Sequence, residues 1–538
     1  MKLFYIVAGL ALEIITSSCL ANAQEGLLLE DRIDSTPIPY YELQPITPPG
    51  ELIDGHPTEK SGLVLNSAGL VSGKYITNNR ILIFSLQDGI IHTSEDIDGV
   101  RILWSSSPAL NDAGDIAAIH KMEDNTYRLA LWDTQLDEPL IQIPLPDNSE
   151  GGFVTGINSN GTVIGSYFTL EEPSVSFQWN LAEGFNTLEG GSNFTLDSNF
   201  YSRYAIGFDL GKINEAGDII GAGAALWNSD GIAIPIETGN INKEFEHIEN
   251  LDINFVNGKT VVVGSYYSEN IEGNRERLPF RLEDGDFKNL SLVPSIVNVT
   301  DGVAIAVNSH GDVVGEYSDS SIAPSYYRSH GFLWANTVAY PEGELIDLGI
   351  PDGFNAEDHH FTTAADINDD SVIVGTFSDV SGIHSNFNGI RSSFAHIWKN
   401  FKIHNLNKLK NRPTEWHLSR AYDINNAGQI IALAESRRTH KQQFFLLTPT
   451  DKNNANYGLV VDGGFEEGGE PWRNWGDTEV IQADSTNKVL NIRNQGRGQF
   501  LPDFEPGSTY KYQSLSKRDN VGIVGTMGVS FFAQDYRQ

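Results

Sequence analysis

One phrase, GINSNGTVIGSY at residues 156–167, constrains this chain more than any other feature, because the chain rewrites it seven more times. It returns as KINEAGDIIGAG (212–223), VNSHGDVVGEY (307–317) and INDDSVIVGTF (367–377). Looser copies are LNSAGLVSGKY (65–75), LNDAGDIAAIH (110–120), VNGKTVVVGSY (256–266) and INNAGQIIALA (424–434). Every copy places an aliphatic residue and an asparagine before a few small polar residues, usually a glycine, and then an alternating aliphatic run. Asn and Gly accept turn and left-handed dihedrals, and the run that follows has the period of a strand. Each copy therefore predicts a β-hairpin.

The hairpin has companions at fixed places. A short segment such as DGVAIAVN or SRAYDIN precedes it, and an aromatic strand follows, ending at Trp132, Trp179, Trp227, Trp334 and Trp398 in the clearest copies. A further apolar segment comes after a Gly turn, as in WNLAEGFNTL. The repeat asparagines are Asn66, Asn111, Asn158, Asn214, Asn257, Asn308, Asn368 and Asn425, about 51 residues apart on average. Four short antiparallel strands at that period predict an all-β fold, a β-propeller of about eight four-stranded blades, or seven if the weak copy around Asn257 builds no sheet. The array opens on a fourth-type strand, YYELQPI (40–46), and closes on a third-type strand, QFFLLTP (443–449). Each supplies what the other's repeat lacks, so the two are expected to share the closing blade and leave no open edge.

The ends of the chain say where it works. Lys2, the apolar run Leu3 to Leu12 and Ala21-Asn22-Ala23 form a signal peptide over residues 1–23, followed by a mature leader over 24–39. The single cysteine, Cys19, lies upstream of that cut; the other reading makes it a lipid-anchor site, although Thr16-Ser17-Ser18 lacks the aliphatic residue expected ahead of one. Simple cleavage leaves a cysteine-free chain, with no disulfide scaffold, thiol chemistry or cysteine-zinc site. Nothing beyond residue 23 is apolar for long enough to span a bilayer as a helix. A formal charge of −35 disfavours nucleic acid and anionic membranes as partners, since both select basic footprints. The expected address is secreted or otherwise extracytoplasmic.

The INxxGxIVG phrase, the HAFxW-type strand and the DLG segment together resemble the HAF-type extracellular repeat family of bacterial secreted proteins. Its His-Ala-Phe element stands here as His330-Gly331-Phe332 and, reordered, as Phe394-Ala395-His396. The resemblance covers residues 40–450 and implies a secreted or surface-exposed protein without implying a reaction. After a polar linker, 451–459, the segment 460–538 opens GGFEEGG and continues with W-x-x-W-G and F-x-P-G-x-x-Y steps. It resembles the front of a CenC-like carbohydrate-binding jelly roll of the galactose-binding-like type, and its 79 residues imply either a truncated chain or an incomplete β-sandwich. That resemblance implies a structural calcium at Glu466, the one cofactor suggested anywhere, and a sugar-stacking role for Trp472 and Trp475.

No reaction motif stands out. The sequence contains no HExxH, GxSxG, P-loop or GxGxxG opening a helix. Glu357-Asp358-His359-His360 offers metal-ligating side chains, but it precedes a repeat and reads as a solvated turn. No catalytic residue is assigned. Two functions remain: a non-catalytic binding scaffold for a glycan or another extracellular protein, and a carbohydrate-active hydrolase or lyase with paired acids at the propeller mouth. Asymmetry separates them, because an active centre must break the repeat with two carboxylates about 5–10 Å apart.

Overall fold

The Asn-x-x-Gly phrase closes each hairpin through one recurring turn. At residues 158–162, the Gly161 N–H donates to the Asn158 carbonyl at 2.9 Å, the Asn158 N–H donates to the Thr162 carbonyl at 3.2 Å, and Gly161 sits at φ +74°. This is a type I turn followed by a left-handed residue, a three-residue hairpin loop. Asn158 Oδ1 completes it by accepting from the N–H groups of Asn160 and Thr162 at 3.2 and 3.0 Å. The same backbone bonds recur at Asn66, Asn111, Asn214, Asn308 and Asn425 with a left-handed glycine, and at Asn368 with Ser371 at φ +55° in the glycine's place.

The computed structural model describes Leu29, most residues from 36 to 451 and four short strands between 473 and 498. All of these lie in the first of two units, Met1–Pro502. Between 40 and 450 the strands form eight antiparallel four-stranded blades. Blade 3 shows the plan, with Ser149–Ile157, Val163–Thr169, Val175–Asn180 and Gly184–Thr187 paired in chain order. Blades 1, 2 and 4 to 7 span residues 51–93, 109–143, 212–234, 248–289, 299–347 and 360–405. Single parallel bridges, Arg277 to Asp301 and Ser329 to Phe361, tie the third strands of blades 5 and 6 to the first strands of blades 6 and 7. Blade 8 combines Trp416–Ile424, Ile430–Ser436 and Gln442–Thr450 with Tyr40–Pro45, which pairs from Tyr40↔Thr450 to Pro45↔Phe445. The blade of mixed origin thus closes the ring as the strand types require, and the first strands of successive blades touch in an unbroken cycle around the axis.

The second glycine of the phrase has a packing reason. A Cβ on Gly315 would lie 1.9 Å from the Val303 carbonyl oxygen and 2.8 Å from the Phe332 ring. Gly165 repeats this with Phe153 and Phe177, so the second strand carries Gly where an aromatic of the third strand and a carbonyl of the first converge. The strand-ending tryptophans are all buried against the preceding blade. Trp132 packs with Ile83, Trp179 with Ala109 and Ile143, Trp227 with Ile164, Trp334 with Val261, and Trp398 with Val314.

A ladder of side-chain amides links the turns. Asn66 Nδ2 donates to the Asn111 carbonyl at 3.1 Å, Asn111 to Asn158 at 3.0 Å and Asn158 to Asn214 at 3.3 Å. Asn308 reaches Asn368 at 3.1 Å, Asn368 reaches Asn425 at 3.2 Å, and Asn425 returns to Asn66 at 2.9 Å. Blade 5 departs. Asn257 and Gly258, at φ +50° and +82°, form a two-residue turn between paired Val256 and Lys259, and Asn257 is exposed. Here Asn254 reaches across instead, donating to the Val307 carbonyl at 3.1 Å, while Asp252 accepts from the Val307 N–H as Asp366 does from Ile424 two blades on. The copy at Asn257 therefore builds its own sheet, but its ladder residue stands three positions earlier than the sequence phrase suggests.

Beyond the ring, Arg473–Trp475 pairs with Gly496–Gly498 around a nested Thr478–Gln482 and Lys488–Ile492 hairpin. The structure describes only the backbone of these strands.

Candidate functional site

Because eight blades share one plan, a site shows itself as a departure from that plan. One register place, directly before the strand-ending tryptophan, pairs two apolar side chains across the third and fourth strands in blades 2, 4 and 6. The pairs are Leu131 with Ile141, Leu226 with Ile234 and Leu333 with Ile346. In the other blades one or both members are polar, Ser85 with His92, Arg281 with Lys288, Ile397 with His404 and Leu446 with Gln44, and in blade 3 both are amides, Gln178 opposite Asn186. Gln178 is only 7% exposed, and its Oε1 has no hydrogen-bond partner. Leaving a buried acceptor unpaired costs about 1–3 kcal/mol, so the substitution for an apolar residue is expensive to the fold.

The amide pair lies at a groove of about 670 Å³ between blades 3 and 4. Its walls are the Asn158 to Thr162 turn, the Asn180 to Gly184 turn and, from blade 4, Ala216, Gly217, Ser229 and Asp230. Blade 4 approaches through another Asn-x-x-Gly turn, in which the Gly231 N–H donates to the Asn228 carbonyl at 2.8 Å. A Cβ on Gly231 would fall 2.7 Å from Asn186 Nδ2 and 2.9 Å from Gln178 Nε2, so only glycine lets this turn come so close to both amides. Asn180 is held in place, donating to the Asn160 carbonyl and Thr162 Oγ1, both at 3.2 Å. Among the described residues the charged lining side chains are Glu183 and Asp230, both exposed, and no Lys, Arg or His lines the groove.

A second departure joins blades 6 and 7. His330 occupies the register place opposite Tyr317, and its Nδ1 lies 3.1 Å from Asp347 Oδ2. The Tyr317 hydroxyl donates to the same carboxylate at 2.7 Å, and the Gly349 N–H donates to its other oxygen at 2.6 Å. Burial works against the Asp347 charge, but His330, Tyr317 and Gly349 together hold the carboxyl below its usual range. His360, buried at the start of blade 7, packs edge-on to His330 at 5.6 Å. Nearby, burial pushes the Glu316 carboxyl up; it accepts from Ser329 Oγ at 3.1 Å, next to the Arg277–Asp301 ion pair.

The two His-Ala-Phe-like elements do different work. His330 is opposite Tyr317, whereas His396 is opposite Gly375, the register place that Phe332 takes in blade 6. His396 is fully buried, and its Nε2–H donates to the Thr363 carbonyl at 2.9 Å, leaving Nδ1 bare and without a partner. Burial lowers its pKa to about 4.

The other residues singled out in the sequence fall in several places. The ladder asparagines other than Asn257 are buried in the turns described above. Glu466 and Trp472 lie outside the described residues, as do Cys19 and Glu357 to His359, and Trp475 is described as backbone alone. His360, read from sequence as part of a turn, instead opens the strand His360–Thr362. Among the described residues no three His, Cys, Asp or Glu side chains are grouped to hold a metal. Gln178 and Asn186 carry no sequence signal of their own, because the aligned column is already mixed, with Ser85 and Arg281 beside Leu131, Leu226, Leu333, Ile397 and Leu446.

No family model matches the chain, and no curated protein matches it. Among solved structures it is similar to the β-propeller domain of the Trilobed protease from Pyrococcus furiosus, at 12% identity over 79% of this chain and 100% of that one, with a TM-score of 0.34. It is also similar to an acylaminoacyl peptidase from Pyrococcus horikoshii, at 13% identity, 74% and 53% coverage and a TM-score of 0.36. A third likeness is to YCF48 from Cyanidioschyzon merolae, at 9% identity, 76% and 98% coverage and a TM-score of 0.30. At scores this low the propeller assignment rests on the strand pairing of the chain itself.

Proposed function

We propose that this protein is a secreted, non-catalytic binding scaffold of the HAF-repeat type, and that the groove between blades 3 and 4 is where it takes a glycan ligand. The observation that supports the reading is the Gln178–Asn186 pair, which sets two amides side by side on the groove, the first of them buried with its Oε1 unpartnered. A buried amide acceptor without a donor costs the fold stability that a bound hydroxyl would restore. The C-terminal segment, read as part of a carbohydrate-binding-like module, would add a second contact to the same class of ligand. Export follows from the signal peptide, and N-terminal sequencing of protein expressed with residues 1–23 tests it: the expected first residue is Gln24, and retention of Met1 would overturn the assignment.

The alternative, an extracellular carbohydrate-active enzyme, is favoured by one observation, the His330–Asp347–Tyr317 cluster. A histidine fixed through Nδ1 by a carboxylate presents Nε2 as a base. The cluster offers one carboxylate rather than the two that glycoside hydrolysis uses. Incubating the mature protein with neutral and acidic polysaccharides decides between the readings. Retention of a polysaccharide without release of reducing ends or unsaturated products is expected; turnover abolished by His330→Ala would replace the scaffold with the enzyme.

A further inference from the structure

We infer that the groove between blades 3 and 4 selects uncharged saccharides over acidic ones, and that the Gln178 amide is the residue that reads their hydroxyl groups. The inference rests on the scaffold reading and names its ligand class. Its volume of about 670 Å³ lies within the roughly 300–1,000 Å³ typical of small-molecule sites. What distinguishes it is the chemistry of its lining. Gln178 Oε1 is an acceptor shielded from water and left without a donor, so a ligand that completes it must bring an O–H or N–H. Asn186 stands directly across the strand pair, which places a second planar amide beside the first. Two adjacent amides suit neighbouring hydroxyls, each of which both donates and accepts.

Charge supplies the discrimination. Glu183 and Asp230 stand exposed among the lining residues with no cation among the described lining residues to answer them, on a chain of formal charge −35. A uronate or sulfated sugar would enter against that field without gaining an ion pair, whereas a neutral sugar is indifferent to it. Gly231 sets the fit, because any side chain there would press on both amide nitrogens.

The test is calorimetric binding of the full-length mature protein to neutral cello-, xylo-, manno- and chito-oligosaccharides, beside oligogalacturonate and a sulfated oligosaccharide. Binding of at least one neutral oligosaccharide, unchanged between low and high salt, is expected, with the acidic ones at least tenfold weaker. Gln178→Leu should weaken the neutral ligand at least tenfold while leaving the thermal midpoint no lower than that of the parent. Ser229→Trp, an exposed change at the mouth of the groove, should do the same without touching the core. Neutral binding that survives both substitutions sinks this inference and moves the ligand out of the groove, leaving a glycan-binding scaffold with its site elsewhere. Equal or tighter binding of the acidic sugars, or binding that falls with salt, overturns the stated selectivity. No binding to any saccharide overturns the inference and the glycan ligand of the proposed function together, whereas the non-catalytic part of that function falls to turnover in the assay given above.

Discussion

His396 makes the stability of this propeller depend on pH in a way that can be calculated. Its ring is fully buried and neutral, with Nε2–H committed to the Thr363 carbonyl and no acceptor near Nδ1 for a second proton. In the unfolded chain a histidine titrates near 6.5, whereas burial holds this one at about 4. Between those values the unfolded state binds the proton and the native state does not. Its stabilisation is therefore complete above pH 6.5 and is lost as the pH falls. Linkage gives a loss of about 2 kcal/mol at pH 5, rising to about 3.4 kcal/mol once the pH drops below the folded value. The repeat supplies the control, because blades 1, 3, 5 and 6 place Phe84, Phe177, Phe280 and Phe332 at the register place of His396. His396→Phe should keep the fold and remove the proton. Denaturant unfolding of both proteins at pH 7 and pH 5 measures the difference of differences, in which the many carboxylates cancel. The parent should lose about 2 kcal/mol more than the variant over that interval. Equal losses would show that the ring is accessible to the proton in the native state and that the burial argument is wrong.

Four further outcomes follow from the same geometry. Asn158→Gly should cost about 2–3 kcal/mol by orphaning turn N–H groups and breaking the ladder, while Asn257→Gly, in an exposed turn that favours glycine, should stay within about 0.5 kcal/mol; denaturant midpoints compare the two. Gly315→Ala forces a methyl into the Val303 carbonyl and should cost at least about 3 kcal/mol, seen as loss of the cooperative transition or a much lower midpoint. Gln178→Leu should raise stability by about 1–3 kcal/mol, since it removes an unpaired buried acceptor; a lower thermal midpoint would mean that the amide has a partner in solution. Burial raises the Glu316 carboxyl, so the native state resists its charge and loses stability as the pH climbs through the carboxylate range. Glu316→Gln should accordingly raise the midpoint at pH 7 and lose that advantage in acid, and an equal gain at both pH values would refute the cause.

The ladder shows how far the repeat could be read from sequence. Asn-x-x-Gly before an alternating run has essentially one backbone solution, so the turns at Asn66, Asn158 or Asn308 follow from the letters. At Asn257 the letters mislead for a physical reason. Asn257-Gly258 is itself a strong two-residue turn signal, and once that turn forms, the crossing amide must come from Asn254. The turn at Asn228–Gly231 went unrecognised because it joins the third and fourth strands, away from the aliphatic run that marked the others. The groove was the least legible part. Gln178 sits next to Trp179 in a strand that scans like its neighbours, and its meaning appears only when cross-strand pairs from different blades are laid over one another. His330 and His396 belong to similar short phrases, yet a two-residue offset in register gives one a carboxylate partner and seals the other in the core.

The strand Tyr40–Pro45 has a consequence for the order of events when the protein is made. For a chain that emerges N-terminus first, this is among the earliest strands to appear, and its partner, Gln442–Thr450, is the last of the ring. About four hundred residues must be threaded and folded between the two halves of one sheet, a non-local pairing that cannot nucleate and can only finish the fold. Until then blade 8 carries an unpaired edge that any copy of Tyr40–Pro45 will fit, including one from another molecule. At high local concentration during synthesis, the lock that seals a single ring is thus also the element through which two unfinished rings would exchange strands.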